Sequence, residues 1–158
     1  MRRGFQLERT QFIACPRSEV FAFFRDATNL RRITPPSLHF RILQPQGVAV
    51  HEGMLIDYQL RLCGVPFHWR SRIESFEPGV RFVDVQLRGP YRAWRHLHEF
   101  RDVSGGTEMR DQVDYCLPLG SLGSFAHWAF VRRMLGRIFD YRRGVIEGIF
   151  NDHAKMRA

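Results

Sequence analysis

The hydropathy period of this chain changes once, and the change decides most of what the chain can fold into. Between residues 38 and 117 apolar and polar residues alternate, as they do along strands whose two faces meet different surroundings. The alternating segments are LHFRIL, GMLIDYQLRLC, PFHWRSRIESF, VRFVDVQLR, AWRHLHEFRDV and TEMRDQVDYCL, and the later ones are separated by GVP (64–66), EPGV (77–80), RGPY (88–91) and SGG (104–106). Connections this short make neighbouring strands antiparallel. After PLGSLGS (118–124) the period becomes 3.6 and holds to about Asn151. That is a helix of roughly 28 residues, ~40 Å long.

The segment before the alternation is built differently. FQLERTQFIA (5–14) reads as extended. PRSEVFAFFRD reads as a helix with Pro16 at its first position and Glu19 in its first turn. Val20, Phe21, Phe24, Ala27 and Leu30 recur at helical spacing, Asp26 can cap a second short helix, and TPP (34–36) ends it. The order is one strand, two short helices, six antiparallel strands and one long helix: an α+β protein in which the last helix is left to cover one sheet face. A 158-residue chain suits one domain and buries enough surface to fold without a staple.

ACPRSEVFAFFRDATNLRRITPP, the stretch from EGMLIDYQL to AWRHLHEF, and RDQVDYCLPLG resemble the bacterial ligand-binding, polyketide cyclase/dehydrase-like members of the START-like, or SRPBCC, superfamily. The resemblance covers nearly the whole chain and rests on strand punctuation. It implies a helix-grip fold: a curved antiparallel sheet of about seven strands wrapped round a long C-terminal helix, with two short helices after strand one. It also implies that residues 1–158 form a single ligand-binding domain enclosing a pocket for a small hydrophobic molecule such as a lipid, quinone or polyketide. It supplies no catalytic residue to carry over.

Composition narrows the partners. There are 24 Lys+Arg against 16 Asp+Glu, a formal charge of +8, yet Lys155 is the sole lysine. Most arginines alternate with apolar residues, the pattern of a solvated outer face. A nucleic-acid partner is therefore not expected, while an anionic membrane surface stays open as a partner. The apolar runs VFAFF (20–24) and FAHWAFV (125–131) fall well short of the ~18 residues of a membrane span. MRRGFQLERTQFI lacks a signal peptide's apolar block, so a cytoplasmic location is expected. Cys15, Cys63 and Cys116 form no CxxC and are expected to be buried or half-buried thiols. Oligomeric state is left open.

Alternation also assigns faces. The inward sets are Ile56, Tyr58, Leu60 and Leu62; Phe67, Trp69 and Ile73; Val83, Val85 and Leu87; and Met109, Val113 and Tyr115. Asp57, Arg70, Glu74, Asp84, Gln86, Arg88, Glu108, Arg110 and Asp114 fall on a charged outer face, where cross-strand pairs contribute ~0.2–1 kcal/mol each at most. Two strands break the rule. Trp94, His96, His98 and Phe100 point inward together, and so does Asp111. A turn at Gly105–Gly106 would set Phe100 opposite Asp111, His98 opposite Val113 and His96 opposite Tyr115. In the last helix Trp128, Val131, Leu135, Ile138, Phe139, Val145, Ile146 and Ile149 form one stripe, with Arg142 near its middle. An arginine there must find a partner or an opening.

The candidate cavity wall is therefore Tyr58, Trp69, Trp94, His96, His98, Asp111, Tyr115 and Arg142. Three readings of its polar members stand: an internal hydrogen-bonded cluster with Arg142 as a structural ion pair, for which Asp111 is a candidate partner; groups that orient a ligand; or a metal site. His-x-His on one strand can present two imidazoles, with Asp111 as third ligand. The further histidine or glutamate that a cupin-type barrel supplies on a later strand is missing, so no metal and no cofactor are expected. Ser104, Ser121 and Ser124 lack a nucleophile elbow, and PLGSLGS lacks the spacing and lysine of a phosphate loop. The expected function is binding of a small apolar or aromatic ligand between sheet and helix. One alternative is a cyclase/dehydrase-type enzyme using His96 or His98 with Asp111 as acid/base. The other is a lipid-shuttling protein on anionic membranes.

Overall fold

The computed structural model describes residues 4–43, 49–118, 120, 122, 125 and 127–155. Strand β1 (Phe5–Ile13) leads into helix α1 (Arg17–Arg25) and two 3-10 turns, Ala27–Arg31 and Pro36–Leu38. Six strands follow: β2 (Arg41–Ile42), β3 (Leu55–Leu62), β4 (Val65–Glu77), β5 (Arg81–Arg88), β6 (Ala93–Val103) and β7 (Gly106–Cys116). A π-wound turn, His127–Val131, enters the C-terminal helix α2 (Arg132–Lys155). The strands form one antiparallel sheet in the order β1-β7-β6-β5-β4-β3-β2, so the first strand pairs with the last. This is the element order that the change of period predicts and the helix-grip arrangement that the family resemblance implies. No helix among the described residues is long and apolar enough to cross a membrane.

Strict alternation makes β7 legible: Thr107, Met109, Asp111, Val113 and Tyr115 are buried and their neighbours are not. The inner sheet face carries two apolar clusters. One gathers Ile13, Val20, Phe21, Phe24, Phe100, Met109, Ile146 and Phe150. The other gathers Leu7, Leu60, Trp69, Tyr91, Val113, Tyr115, Leu135 and Phe139. Phe21 and Phe24 of α1 meet Phe100 with ring centroids 5.4 and 5.2 Å apart. Helix α1 therefore shares the covering of the sheet that the sequence assigned to α2 alone.

Several local expectations are corrected. The β3–β4 turn is Cys63–Gly64, with φ of 52° and 80°. That is the left-handed pair a two-residue hairpin requires, and Pro66 already belongs to β4. At the tip of this turn the Cys63 thiol is exposed, whereas Cys15 is buried and Cys116 half-buried as expected. The β6–β7 turn is Ser104–Gly105, because Val103 pairs with Gly106. The register is thereby shifted by two: His98 lies opposite Asp111, His96 opposite Val113, Trp94 opposite Tyr115 and Phe100 opposite Met109. Gly106 is needed inside the strand, where a Cβ would collide with the Ile13 carbonyl oxygen.

Strand β5 presents the opposite face from the expected one. Phe82 and Asp84 face inward, opposite His98 and His96, while Leu87 is exposed on the outer side. Carried along an unbroken ladder, the pairing of Glu77 with Arg81 would set inward Ile73 opposite Val85. A bulge between Ile73 and Ser75 sets it opposite Asp84 instead. In the C-terminal segment, Trp128 is 76% exposed. The π-wound turn carries more residues per turn and rotates Trp128 off the stripe of Leu135, Phe139, Arg142 and Ile146, all of which are buried. Ser121 and Ser124 lie outside the described residues.

Two glycines test this packing. Gly106→Ala should lower the unfolding free energy by roughly 1–3 kcal/mol. Gly144 sits in α2 with open space where an alanine methyl would stand, so Gly144→Ala should raise it by about 0.5–1 kcal/mol. Urea denaturation of the two variants checks both signs.

Candidate functional site

Between the sheet and α2 lies a cavity of about 170 Å³. Its walls grade from apolar to charged. Tyr58 and Trp69 stack at 5.7 Å between centroids, and Trp94 meets Trp69 edge-on at 5.4 Å. Leu135, Ile138 and Phe139 of α2 face them, and Leu30, Thr34 and Leu38 around the two 3-10 turns complete the wall. Asp84, His96, His98 and Arg142 supply the polar end.

That end is a compact network. Nε2 of His96 lies 2.8 Å and Nδ1 of His98 lies 3.1 Å from the same Oδ1 of Asp111. The other nitrogen of each ring points to Asp84: Nε2 of His98 at 3.1 Å and Nδ1 of His96 at 3.7 Å from Oδ2. The Trp69 indole donates to Ser71 Oγ at 3.1 Å, and the Ser71 hydroxyl donates to Asp84 Oδ1 at 3.4 Å. Arg142 Nη2 lies 3.6 Å from Asp111 Oδ1 and 3.3 Å from His98 Nδ1. The guanidinium sits over the rings of Phe24 and Phe139, at 5.5 and 5.8 Å. Its Nε is buried with no hydrogen-bond partner among the described residues.

The sequence matches the family described as "Polyketide cyclase / dehydrase and lipid transport" over residues 13–139. The chain belongs to that family. No curated protein matches the sequence. Among solved structures, the Zhui aromatase/cyclase from Streptomyces sp. R1128 is similar with a TM-score of 0.76 at 16% identity, covering 96% of each chain. The di-domain ARO/CYC StfQ from the steffimycin biosynthetic pathway has a TM-score of 0.76 at 15% identity, covering 96% of this chain and 52% of that one. Ara h 8.0201 has a TM-score of 0.67 at 14% identity, covering 95% and 99%. At such identities the likeness fixes the helix-grip fold and leaves the chemistry to the residues of this member.

In this polyketide cyclase/dehydrase-family chain, electrostatics separate the two imidazoles. Burial and the neighbouring His98 push His96 down to about 4, against the pull of Asp111 and Asp84. Burial also disfavours charge on His98, but hydrogen bonds to Asp111 and Asp84 outweigh it and raise its pKa. Burial works against both carboxylates. For Asp111, Arg142 and the two histidines overcome it and hold the acid well below its ordinary value. For Asp84, the hydrogen bond from His98 leads the same outcome. The two rings thus part in basicity: His96 is held neutral down to about 4, while His98 is the more readily protonated of the pair.

Of the eight side chains assigned to the wall from sequence, Tyr58, Trp69, Trp94, His96, His98 and Arg142 line the cavity. Asp111 stands behind the histidines. Tyr115 turns away, its hydroxyl 2.8 Å from Nε2 of His127. Asp84 and Ser71 border the cavity without having been assigned to it. Phe82, stacked on His98 at 4.3 Å, was the available signal for Asp84, since two residues along a strand share a face.

Removing the arginine and titrating the histidines should both register in stability. Arg142→Met removes the guanidinium from Asp111, leaving only the two imidazoles beside the buried carboxylate, and should cost about 3–5 kcal/mol, measured by urea denaturation. His96, neutral when folded, protonates first in the unfolded chain. Stability should therefore fall by about 3 kcal/mol as pH drops from 6.5 towards 4. The raised His98 acts in the opposite window, its contribution being complete below 6.5 and lost as pH rises through its folded value. Denaturation at stepped pH should show the acid-side slope flattened in His96→Gln.

Proposed function

We propose that this protein binds a small, mostly apolar aromatic or polyketide-like molecule in the cavity, with an oxygen of the ligand directed at the polar end. The observation that carries the reading is the Nε–H of Arg142, a buried donor with no partner among the described residues, on the wall of a mostly apolar cavity. A buried unpaired donor costs free energy until something accepts from it, and a carbonyl or phenolic oxygen does so. The apolar walls provide affinity and the charged end provides orientation. Size limits the class: a cavity of about 150 Å³ accommodates a benzene ring, so one of about 170 Å³ takes one ring or a short chain without rearrangement.

A second reading, an enzyme of cyclase or dehydrase type, is favoured by His96. A neutral imidazole on the cavity wall, held by Asp111 at 2.8 Å, has the state and the orientation of a general base. Membership of the polyketide cyclase/dehydrase family and the likeness to two proteins named as aromatase/cyclases support the same reading.

Tryptophan emission and thermal shift, run with 1-naphthol, a hydroxyanthraquinone and a medium-chain fatty acid, test the binding reading. Saturable quenching is expected, strongest with naphthol, and Trp94→Ala should weaken it roughly tenfold, about 1.4 kcal/mol. Silence from all three probes, or identical binding in Trp94→Ala, would sink it. Turnover lost in His96→Ala or Asp111→Asn with ligand binding retained separates enzyme from binder.

A further inference from the structure

Asp84, His96 and His98 each offer one ligand atom, and the three atoms lie within 4.8 Å of one another. From this geometry we propose that they form a binding site for a divalent first-row transition cation of the zinc or iron(II) class. The site is independent of which molecule occupies the rest of the cavity. The donor set is two imidazoles and one carboxylate, which suits these metals better than calcium or magnesium.

The distances fit. Donors held about 2.1 Å from a cation at angles of 90–120° stand about 3.0–3.6 Å apart. The Asp84 Oδ2 atom is 3.1 Å from His98 Nε2 and 3.7 Å from His96 Nδ1. Each ring is also held from behind. The far nitrogens, Nε2 of His96 and Nδ1 of His98, both meet Asp111 Oδ1, at 2.8 and 3.1 Å. His96 donates there, which leaves its Nδ1 a lone pair; His98 Nε2, hydrogen-bonded to Asp84, would release its proton on binding the ion, with Nδ1 keeping a proton toward Asp111. A carboxylate fixing the tautomer of a ligating histidine is the outer-layer arrangement that metal sites use, and here one carboxylate serves two histidines.

The two acids are not interchangeable in this role. Arg142 approaches His98 from the Nδ1 side and lies 3.6 Å from Asp111, so a cation on that side would meet a guanidinium. On the Asp84 side the three donors all line the cavity while Asp111 does not. The cavity supplies a route for the ion, and coordination positions not taken by protein open onto it. An oxygen-bearing ligand in the cavity could complete the sphere. The strand pairing explains why this triad exists at all: β5 meets β6 with Asp84 opposite His96 and Phe82 opposite His98, and the β4 bulge beside Glu74 lets inward Ile73 pair with Asp84.

Chelator-treated protein titrated with cobalt(II) and then zinc(II) tests the site. One equivalent of cobalt should produce a visible d–d band, and zinc should abolish it. Isothermal titration should give zinc binding of one per chain, tighter than about 100 µM. Asp84→Asn and His96→Gln should each remove the band. Asp111→Asn should weaken binding about 10–100-fold, and His51→Ala, on the surface, should change nothing. If a variant fails to fold by circular dichroism, the imidazole resonances of His96 and His98 in the unaltered protein decide, since zinc must shift both. No one-to-one binding by the unaltered protein, or full binding by Asp84→Asn, overturns the proposal. Apolar-ligand binding measured in chelator stands or falls separately.

Discussion

Asp111 carries its charge in the middle of the sheet's buried face, where an uncompensated carboxylate would cost several kcal/mol. Compensation comes from two strands and a helix at once: His96 and His98 of β6 and Arg142 of α2 all converge on one carboxylate oxygen of β7. The apolar clusters on either side supply most of the burial, but hydrophobic contact is not directional and would tolerate α2 at several axial positions. The arginine does not. Only one turn of α2 can bring a guanidinium to Asp111, so the polar network sets where the helix sits and hence how wide the gap beside it is.

Within that network the two carboxylates divide their surroundings. Asp111 is enclosed, faced by cations and donors. Asp84 is tied to Ser71 and His98 and borders the cavity. The same histidine pair separates them, and the rings differ in basicity: with centroids 3.8 Å apart two imidazolium rings would repel strongly in a medium of low dielectric constant, which with burial helps to hold His96 neutral. The polar end is thus asymmetric: a closed side that stabilises the fold and an open side available for chemistry. An outer face rich in ion pairs, such as Arg70 with Asp57 and Arg95 with Glu74, accounts for much of the basic composition without any partner.

The sequence was most legible where alternation was strict and unbroken. In β6 and β7 the parity of His96, His98 and Asp111 could be read directly, and Arg142 followed from an advance of about 100° per residue. Legibility failed where one extra residue entered. The bulge beside Glu74 broke the link between the parity of β4 and that of β5, and in β5 Val83, Val85 and Leu87 made the wrong face the more apolar one. The π-wound turn did the same to Trp128. The hairpin register slipped because Gly105–Gly106 reads as a turn pair, whereas Gly106 is small for the sake of Ile13 in the neighbouring strand. None of these irregularities has a periodic signature, since each is defined by a break in period.

The cavity has a stiff side and a soft side. Strands β3 to β6 form one wall, each hydrogen-bonded to the next. Leu30, Thr34 and Leu38, in or beside two short 3-10 turns, form part of the other, and 3-10 hydrogen bonds have poorer geometry. A guest bulkier than the resting space would displace the turns before it parted the strands. Girth and branching would then be screened by a yielding latch, while hydrogen-bonding character is screened by the rigid frame, so related chains could diverge in guest size by changing a few residues between positions 27 and 38 and leave the frame untouched.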